Sequence, residues 1–488
     1  MAEHTDGDEI ADLLATTPTG GFLGGKWVED GDRFTVDDPS TGLPLVDVVD
    51  NPPERFLEAL DIADRTRESL AATTTHQRAE VLRRTYELIV RDSERLATLC
   101  TLEMGKPLAE SRAEVAYAAD FFRWFAGEAL RVDGGYRPNP SGTGRILTLQ
   151  RPVGPCLLIT PWNFPIAMGA RKIAPALAAG CPSIVKPSEL TPLTMLALAA
   201  LMEEAGAPAG SLSVLPTLDA AATTGPIIAD RRLRKLSFTG STAVGKQLIA
   251  QSAEQVLRVS MELGGSAPFV VFDDADLDAA VEGAMAAKMR NGGEACTSAN
   301  RFLVHESVAE EFTARLTERM AGLSVGRGLD EGVEVGPLID ERAQVRLRDA
   351  VADVAAAGAE VNTGGAPLDR PGWFFAPTVV SGIPASHPFG DDELFGPVAP
   401  IRTFTDDEQA IAMANDTPYG LIAYAYTRDL ERALRVCDRL ESGMVGINRG
   451  VISNAAAPFG GVKHSGVGRE GGFAGIHEYL ETTYVGLP

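Results

Sequence analysis

Apolar positions along the chain follow two periods. Over Ala79–Val90 they recur at 81, 82, 85, 86, 89 and 90, a 3.6-residue stripe, and residues 54–130 as a whole read as helices. The Gly/Pro/Ser-rich stretch Gly134–Gly144 breaks that pattern. From 145 onward short apolar runs alternate with helical stretches. The runs at 155–160, 181–185, 233–238, 257–262 and 268–272 predict strands. Between the first two, Ile166, Ala170, Ile173, Ala174 and Leu177 share one face of a helix over 166–179, which Gly180 stops. Further strands are predicted near 301–304, 377–380, 398–404, 421–426 and 444–447. Strand–helix alternation implies βαβ units, mostly parallel sheets and an α/β fold. Residues 1–19, polar and acidic, read as a disordered tail.

Composition narrows the function. A chain of 488 residues with 45% hydrophobic and 23% charged residues has the size and balance of a multidomain globular enzyme. Its formal charge of −23 argues against nucleic acid and anionic membranes as partners. The start, Met1-Ala2-Glu3-His4, lacks the basic and apolar regions of a signal peptide, and no run of apolar residues is long enough to span a membrane. Five cysteines without regular spacing fit a reducing, cytoplasmic setting better than a disulfide framework. The histidines never reach ligand spacing, so no metal is expected.

One cysteine stands apart. Cys296 lies in Gly292-Gly293-Glu294-Ala295-Cys296-Thr297-Ser298, where nothing has the bulk to shield sulfur, whereas Cys100 and Cys156 have core-like apolar neighbours. Met261-Glu262-Leu263-Gly264-Gly265 places a carboxylate at a strand end before two glycines that let backbone approach a ligand. A thiol and a separate carboxylate base are the equipment for a covalent thioester that water cleaves. Pro161-Trp162-Asn163-Phe164-Pro165 is a rigid turn that aims the Asn163 amide at the carboxyl end of a strand; it could donate to an oxyanion or cap the following helix. Lys186-Pro187-Ser188-Glu189 and Phe238-Thr239-Gly240-Ser241 end successive strands with groups suited to ribose hydroxyls and a pyrophosphate. Gly466-Val467-Gly468-Arg469-Glu470-Gly471 matches a dinucleotide fingerprint literally, but no strand is expected before it and only 17 residues follow, too few for a βαβ unit.

These motifs occur together, from about residue 20 to the end, in an order that resembles the aldehyde dehydrogenase superfamily. The resemblance implies two Rossmann-type parallel-sheet domains and a small β oligomerisation arm: cofactor domain at 20–129 and 147–261, catalytic domain at 262–469, arm at 130–146 and 470–488. It implies Cys296 as nucleophile, Glu262 as base for deacylation and Asn163 as oxyanion donor with the Cys296 amide. NAD or NADP is the implied cofactor, contacted by Trp162, Lys186, Ser188, Glu189, Gly240, Ser241, Leu263, Glu393 and Phe395. Glu189 would accept from a free 2′-hydroxyl and repel a 2′-phosphate, which favours NAD. Homodimers or homotetramers are implied as well.

Arg171, Arg290 and Ser453 match positions that hold the substrate carboxylate in succinate-semialdehyde dehydrogenases. Two guanidiniums and a hydroxyl suit the far end of a short anionic semialdehyde. For either arginine a structural salt bridge is the alternative. The expected reaction is oxidation of succinate semialdehyde to succinate; glutarate semialdehyde or a neutral aliphatic aldehyde is the alternative substrate. Glu294 stands where glutamine is frequent in the family.

Overall fold

The computed structural model describes the backbone from residue 3 onward and side chains from residue 7. Its larger sheet has eight strands in the order Gly466–Val467, Arg258–Glu262, Lys235–Thr239, Cys156–Ile159, Ser183–Lys186, Leu212–Val214, Gly21–Leu23 and Lys26–Val28. The five strands from Arg258–Glu262 to Leu212–Val214 run parallel. All four residues of Cys156–Ile159 and of Ser183–Lys186 are buried, as strands covered on both faces must be. Register aligns their carboxyl ends: Thr239 lies opposite Glu262, Phe238 opposite Ile159, and Ile159 opposite Lys186. The turns after these strands therefore open along one crevice, where parallel sheets bind ligands.

The second sheet has seven strands: Glu360–Thr363, Thr378–Ser381, Val398–Phe404, Ala299–His305, Ala267–Val271, Ile422–Tyr426 and Met444–Ile447. Cys296 immediately precedes its central strand, Ala299–His305. A third, antiparallel sheet joins Gly135–Pro138, Arg145–Pro152 and Leu480–Leu487. Its middle strand runs on to Pro152, beyond the boundary expected at 146.

Each strand expected from 155 to 447 has a counterpart within a few residues, and the helix expected over 166–179 spans Pro165–Ala179. Two features differ. The stretch expected as a disordered tail contains a helix, Glu3–Ala15, while Met1 and Ala2 lie outside the described residues. Ile10, Leu13 and Leu14 fall on one face of that helix; Leu13 and Leu14 pack on the core, and Arg95 donates to the Thr16 carbonyl at 2.9 Å. The three-residue strands at 21, 26 and 212 carry too few positions to show a period.

Candidate active site

Residues Arg290–Gly293 form a tight turn in which Asn291, Gly292 and Gly293 all have positive φ, at 54°, 59° and 80°. Gly293 has no substitute there, because a Cβ would meet the Gly396 carbonyl oxygen at 2.1 Å. The Asn291 side-chain Nδ2 secures the turn by donating to the Glu294 carbonyl at 3.0 Å and the Asn163 carbonyl at 3.1 Å. Asn163 Nδ2 itself donates to the Glu294 carbonyl at 2.9 Å. The following helix takes Phe164 as its N-terminal boundary with no side-chain cap, so Asn163 is not a helix cap. The Cys296 turn and the Asn163 turn are thus bonded to each other.

Cys296 is half-buried, while Cys100, Cys156 and Cys181 are fully buried and Cys437 is exposed. Burial pushes the Cys296 thiol up to about 12; Arg171 and Arg290 oppose that rise, and Glu393 and Glu262 add to it. Glu262 is 3% exposed and its Oε2 has no hydrogen-bond partner among the described residues. Burial raises its pKa well above the usual carboxylate range, and the Glu470 charge adds to the rise. A buried carboxyl with an open oxygen is equipped to hold and move a proton.

Arg171 belongs to a helix, Pro165–Ala179, that is buried along its whole length. Its Nε pairs with Glu470 and its guanidinium lies 4.1 Å from the Phe459 ring centroid, leaving Nη2 without a hydrogen-bond partner among the described residues. Glu470 also accepts from Lys172 Nζ, at 2.5 Å. Burial alone would raise Glu470, but these two cations hold it below its ordinary value. For Arg171 the structural alternative thus holds on one edge of the guanidinium. Arg290 and Ser453 do meet: Nη1 donates to Oγ at 3.3 Å, and the guanidinium lies 4.8 Å from the Phe164 ring centroid.

Of the expected cofactor contacts, Trp162, Lys186, Ser188, Glu189, Gly240, Ser241 and Leu263 end or follow strands of the first sheet, whereas Glu393 and Phe395 precede the strand Val398–Phe404 of the second. Lys186 Nζ donates to Glu189 Oε2 at 3.0 Å, and the Ser188 hydroxyl accepts from the Leu190 amide at 3.3 Å. Ser241 caps the helix Thr242–Ser252, preceded by Gly240, so free amides of a helix start face the crevice. Leu263 packs into the space left by Gly245, where a Cβ would lie 2.3 Å from its Cδ2. Glu393 accepts from the Gly265 amide at 3.3 Å, and burial pushes its carboxyl up to about 7. Trp162 meets Phe395 edge-on at 5.4 Å. Two carboxylates to accept from ribose hydroxyls, a helix start for phosphates and an aromatic edge fit a nicotinamide dinucleotide.

Sequence reasoning missed Lys172, Glu470 and Tyr117. Tyr117 Oη is buried without a partner among the described residues, within electrostatic reach of Arg171, Arg290 and Cys296. Lys172 left one signal, a second cation in an otherwise apolar helix. Glu470 left none, since its partners come from far earlier in the chain. Among the described residues no group of histidine, cysteine or acidic side chains is placed to hold a metal ion.

The family model described as "Aldehyde dehydrogenase family" matches residues 27–485. A succinate-semialdehyde dehydrogenase of Paenarthrobacter nicotinovorans is 56% identical over 434 residues, covering 89% of this chain and 96% of that protein. A glutarate-semialdehyde dehydrogenase of Pseudomonas aeruginosa is 46% identical, covering 96% and 97%. Among solved structures, the succinate-semialdehyde dehydrogenase from Burkholderia pseudomallei superposes with a TM-score of 0.95 at 47% identity, covering 97% of this chain and 98% of that one. The fold, the crevice and these matches agree: the chain belongs to the aldehyde dehydrogenase family.

Proposed function

We propose that the protein oxidises succinate semialdehyde to succinate with NAD or NADP, and that the contact between Arg290 and Ser453 beside Cys296 selects the substrate. Arg290 Nη1, Ser453 Oγ and the open Nη2 of Arg171 offer three donors to a carboxylate. Cys296 gives up its thiol proton to solvent, Sγ attacks the aldehyde carbon, and the carbonyl electron pair moves onto oxygen, where Asn163 Nδ2 and the Cys296 amide donate. A bound nicotinamide ring supplies the acceptor for the hydride that leaves this carbon. The chain then carries a thioester on Cys296. Glu262 takes a proton from water as the water oxygen bonds to the carbonyl carbon, and the C–S bond breaks to release succinate.

The crevice residues hold the cofactor in this reading. Glu189 beside Lys186 favours NAD, because its carboxylate accepts from a 2′-hydroxyl and repels a 2′-phosphate. The division into cofactor domain, catalytic domain and arm stays as the family implies. The arm, with Tyr136 and Tyr484 exposed, is the surface we assign to a homodimer or homotetramer. A cytoplasmic location fits the five unpaired thiols.

The test measures NADH and NADPH formation with succinate semialdehyde, glutarate semialdehyde and butyraldehyde, for the wild type and Arg290→Ala. Removing a charge-assisted bond of about 1.5–3 kcal/mol lowers kcat/KM for succinate semialdehyde roughly 10- to 150-fold and spares butyraldehyde. Equal turnover of butyraldehyde and succinate semialdehyde by both proteins overturns the carboxylate clamp. Faster turnover of glutarate semialdehyde than succinate semialdehyde by the wild type makes the longer acid the substrate, as the name of the Pseudomonas aeruginosa relative suggests.

A further inference from the structure

The helix Leu108–Glu128 lies outside both catalytic turns yet is bonded to each. Glu110, in its first turn, accepts from the Asn291 backbone N–H at 2.5 Å, on the nucleophile side. Glu114, one turn later on the same face, accepts from the Ile166 and Ala167 amides at 3.1 and 3.2 Å, on the oxyanion side. Lys106, just ahead of the helix, donates to Glu114 Oε2 and to the Asn163 carbonyl, both at 2.6 Å, and sits 4.1 Å from the Phe164 ring centroid. Lys106 and Glu114 are buried, and each is satisfied by the other and by backbone. A buried charged pair is costly unless so satisfied, and as a core filler it would be replaceable by apolar side chains. Its bonds instead run to the two turns that carry Asn163 and Cys296.

We propose that this helix is a splint that sets the spacing between Asn163 and Cys296, with Glu110, Glu114 and Lys106 as positioning residues. The proposal rests on the roles given above to Asn163 and Cys296. The Asn291 amide that Glu110 holds belongs to a non-glycine residue in the left-handed region, a conformation its surroundings must enforce. Freed from Glu110, the turn relaxes, and two things follow. The oxyanion donor and the sulfur lose their alignment, which lowers kcat. The sulfur gains water, which eases thiolate formation. Turnover and alkylation therefore move in opposite directions.

The experiment uses Glu110→Ala and Glu110→Gln in the full chain, at a position only partly buried. Turnover is read as kcat and KM, and Cys296 accessibility as the iodoacetamide alkylation rate at pH 8 without cofactor. For Glu110→Ala we expect kcat to fall at least tenfold, KM for the aldehyde to stay within threefold, and alkylation of Cys296 to quicken at least threefold. Glu110→Gln keeps an acceptor for the Asn291 amide and restores both values to within threefold of wild type. An alanine variant with unchanged kcat and alkylation overturns the splint, as does a glutamine variant as impaired as alanine. If the wild type turns over no aldehyde, the functional reading fails, and the alkylation rates still decide whether Glu110 holds the turn.

Discussion

Burial holds Cys296 as the thiol and raises the pKa of Glu262 above the usual carboxylate range. With the thiol pushed up to about 12, the thiolate fraction rises tenfold for each pH unit across the neutral and mildly alkaline range. Iodoacetamide alkylation of Cys296 in the cofactor-free protein is therefore expected to climb log-linearly from pH 7 to 10, where an ordinary thiol levels off near 8.5; a plateau there contradicts the burial argument. In the proposed role as base Glu262 must be ionised, and its raised pKa shifts that form toward higher pH. Turnover limited by thioester hydrolysis accordingly increases with pH. Replacing it, Glu262→Gln, leaves acylation and removes water activation. Rapid mixing is expected to give one equivalent of reduced cofactor per subunit, followed by a steady rate lower by about 10²–10⁴-fold. A loss of the burst itself would place Glu262 in the acylation step instead.

Elements bring these residues within reach, and here the sequence was uneven. Continuous apolar runs such as Cys156–Ile159 announced the parallel strands, and register then put Asn163, Lys186, Gly240 and Glu262 along one crevice. The strand Gly466–Val467 was illegible, being two residues long and defined only by its pairing with Met261 and Glu262. It pairs directly with Glu262. At Gly466, with φ 145°, a Cβ would meet the Met261 carbonyl oxygen at 2.0 Å, so Gly466→Ala must displace the strand that ends in Glu262. We expect that variant to lose at least tenfold in kcat and to melt lower than wild type. The partner of Arg171 was hidden for a similar reason. Helical periodicity shows which face of Pro165–Ala179 is apolar, but not that Glu470 arrives to meet its cations. The helix Leu277–Met289 buries Lys288 completely, with no hydrogen-bond partner for Nζ among the described residues, and burial lowers its pKa to about 7. Between pH 7 and the ordinary lysine value of 10.5 the unfolded chain binds a proton that the folded one does not. Stability therefore rises with pH through that window, and the penalty is complete below it. Lys288→Met is expected to raise Tm by about 2 °C or more at pH 6 and by less at pH 10; a decrease at both would show the amine to be held by a favourable contact.

At the scale of the molecule, alternation of strands and helices revealed two α/β units, whereas the helix Glu3–Ala15 was masked by its acidic composition. The antiparallel sheet of the arm matters for how the chain comes off the ribosome. Leu480–Leu487 pairs residue by residue with Arg145–Pro152, and Gly466–Val467 completes the edge beside Glu262. Synthesis at roughly 5–20 residues per second makes Arg145–Pro152 wait on the order of half a minute for its partner. During that interval an unpaired strand edge is open to association with another nascent chain. Arg145 and Arg151 place charge on this strand, which has only Gly135–Pro138 beside it until Leu480–Leu487 is made, and charge of that kind disfavours pairing with another chain.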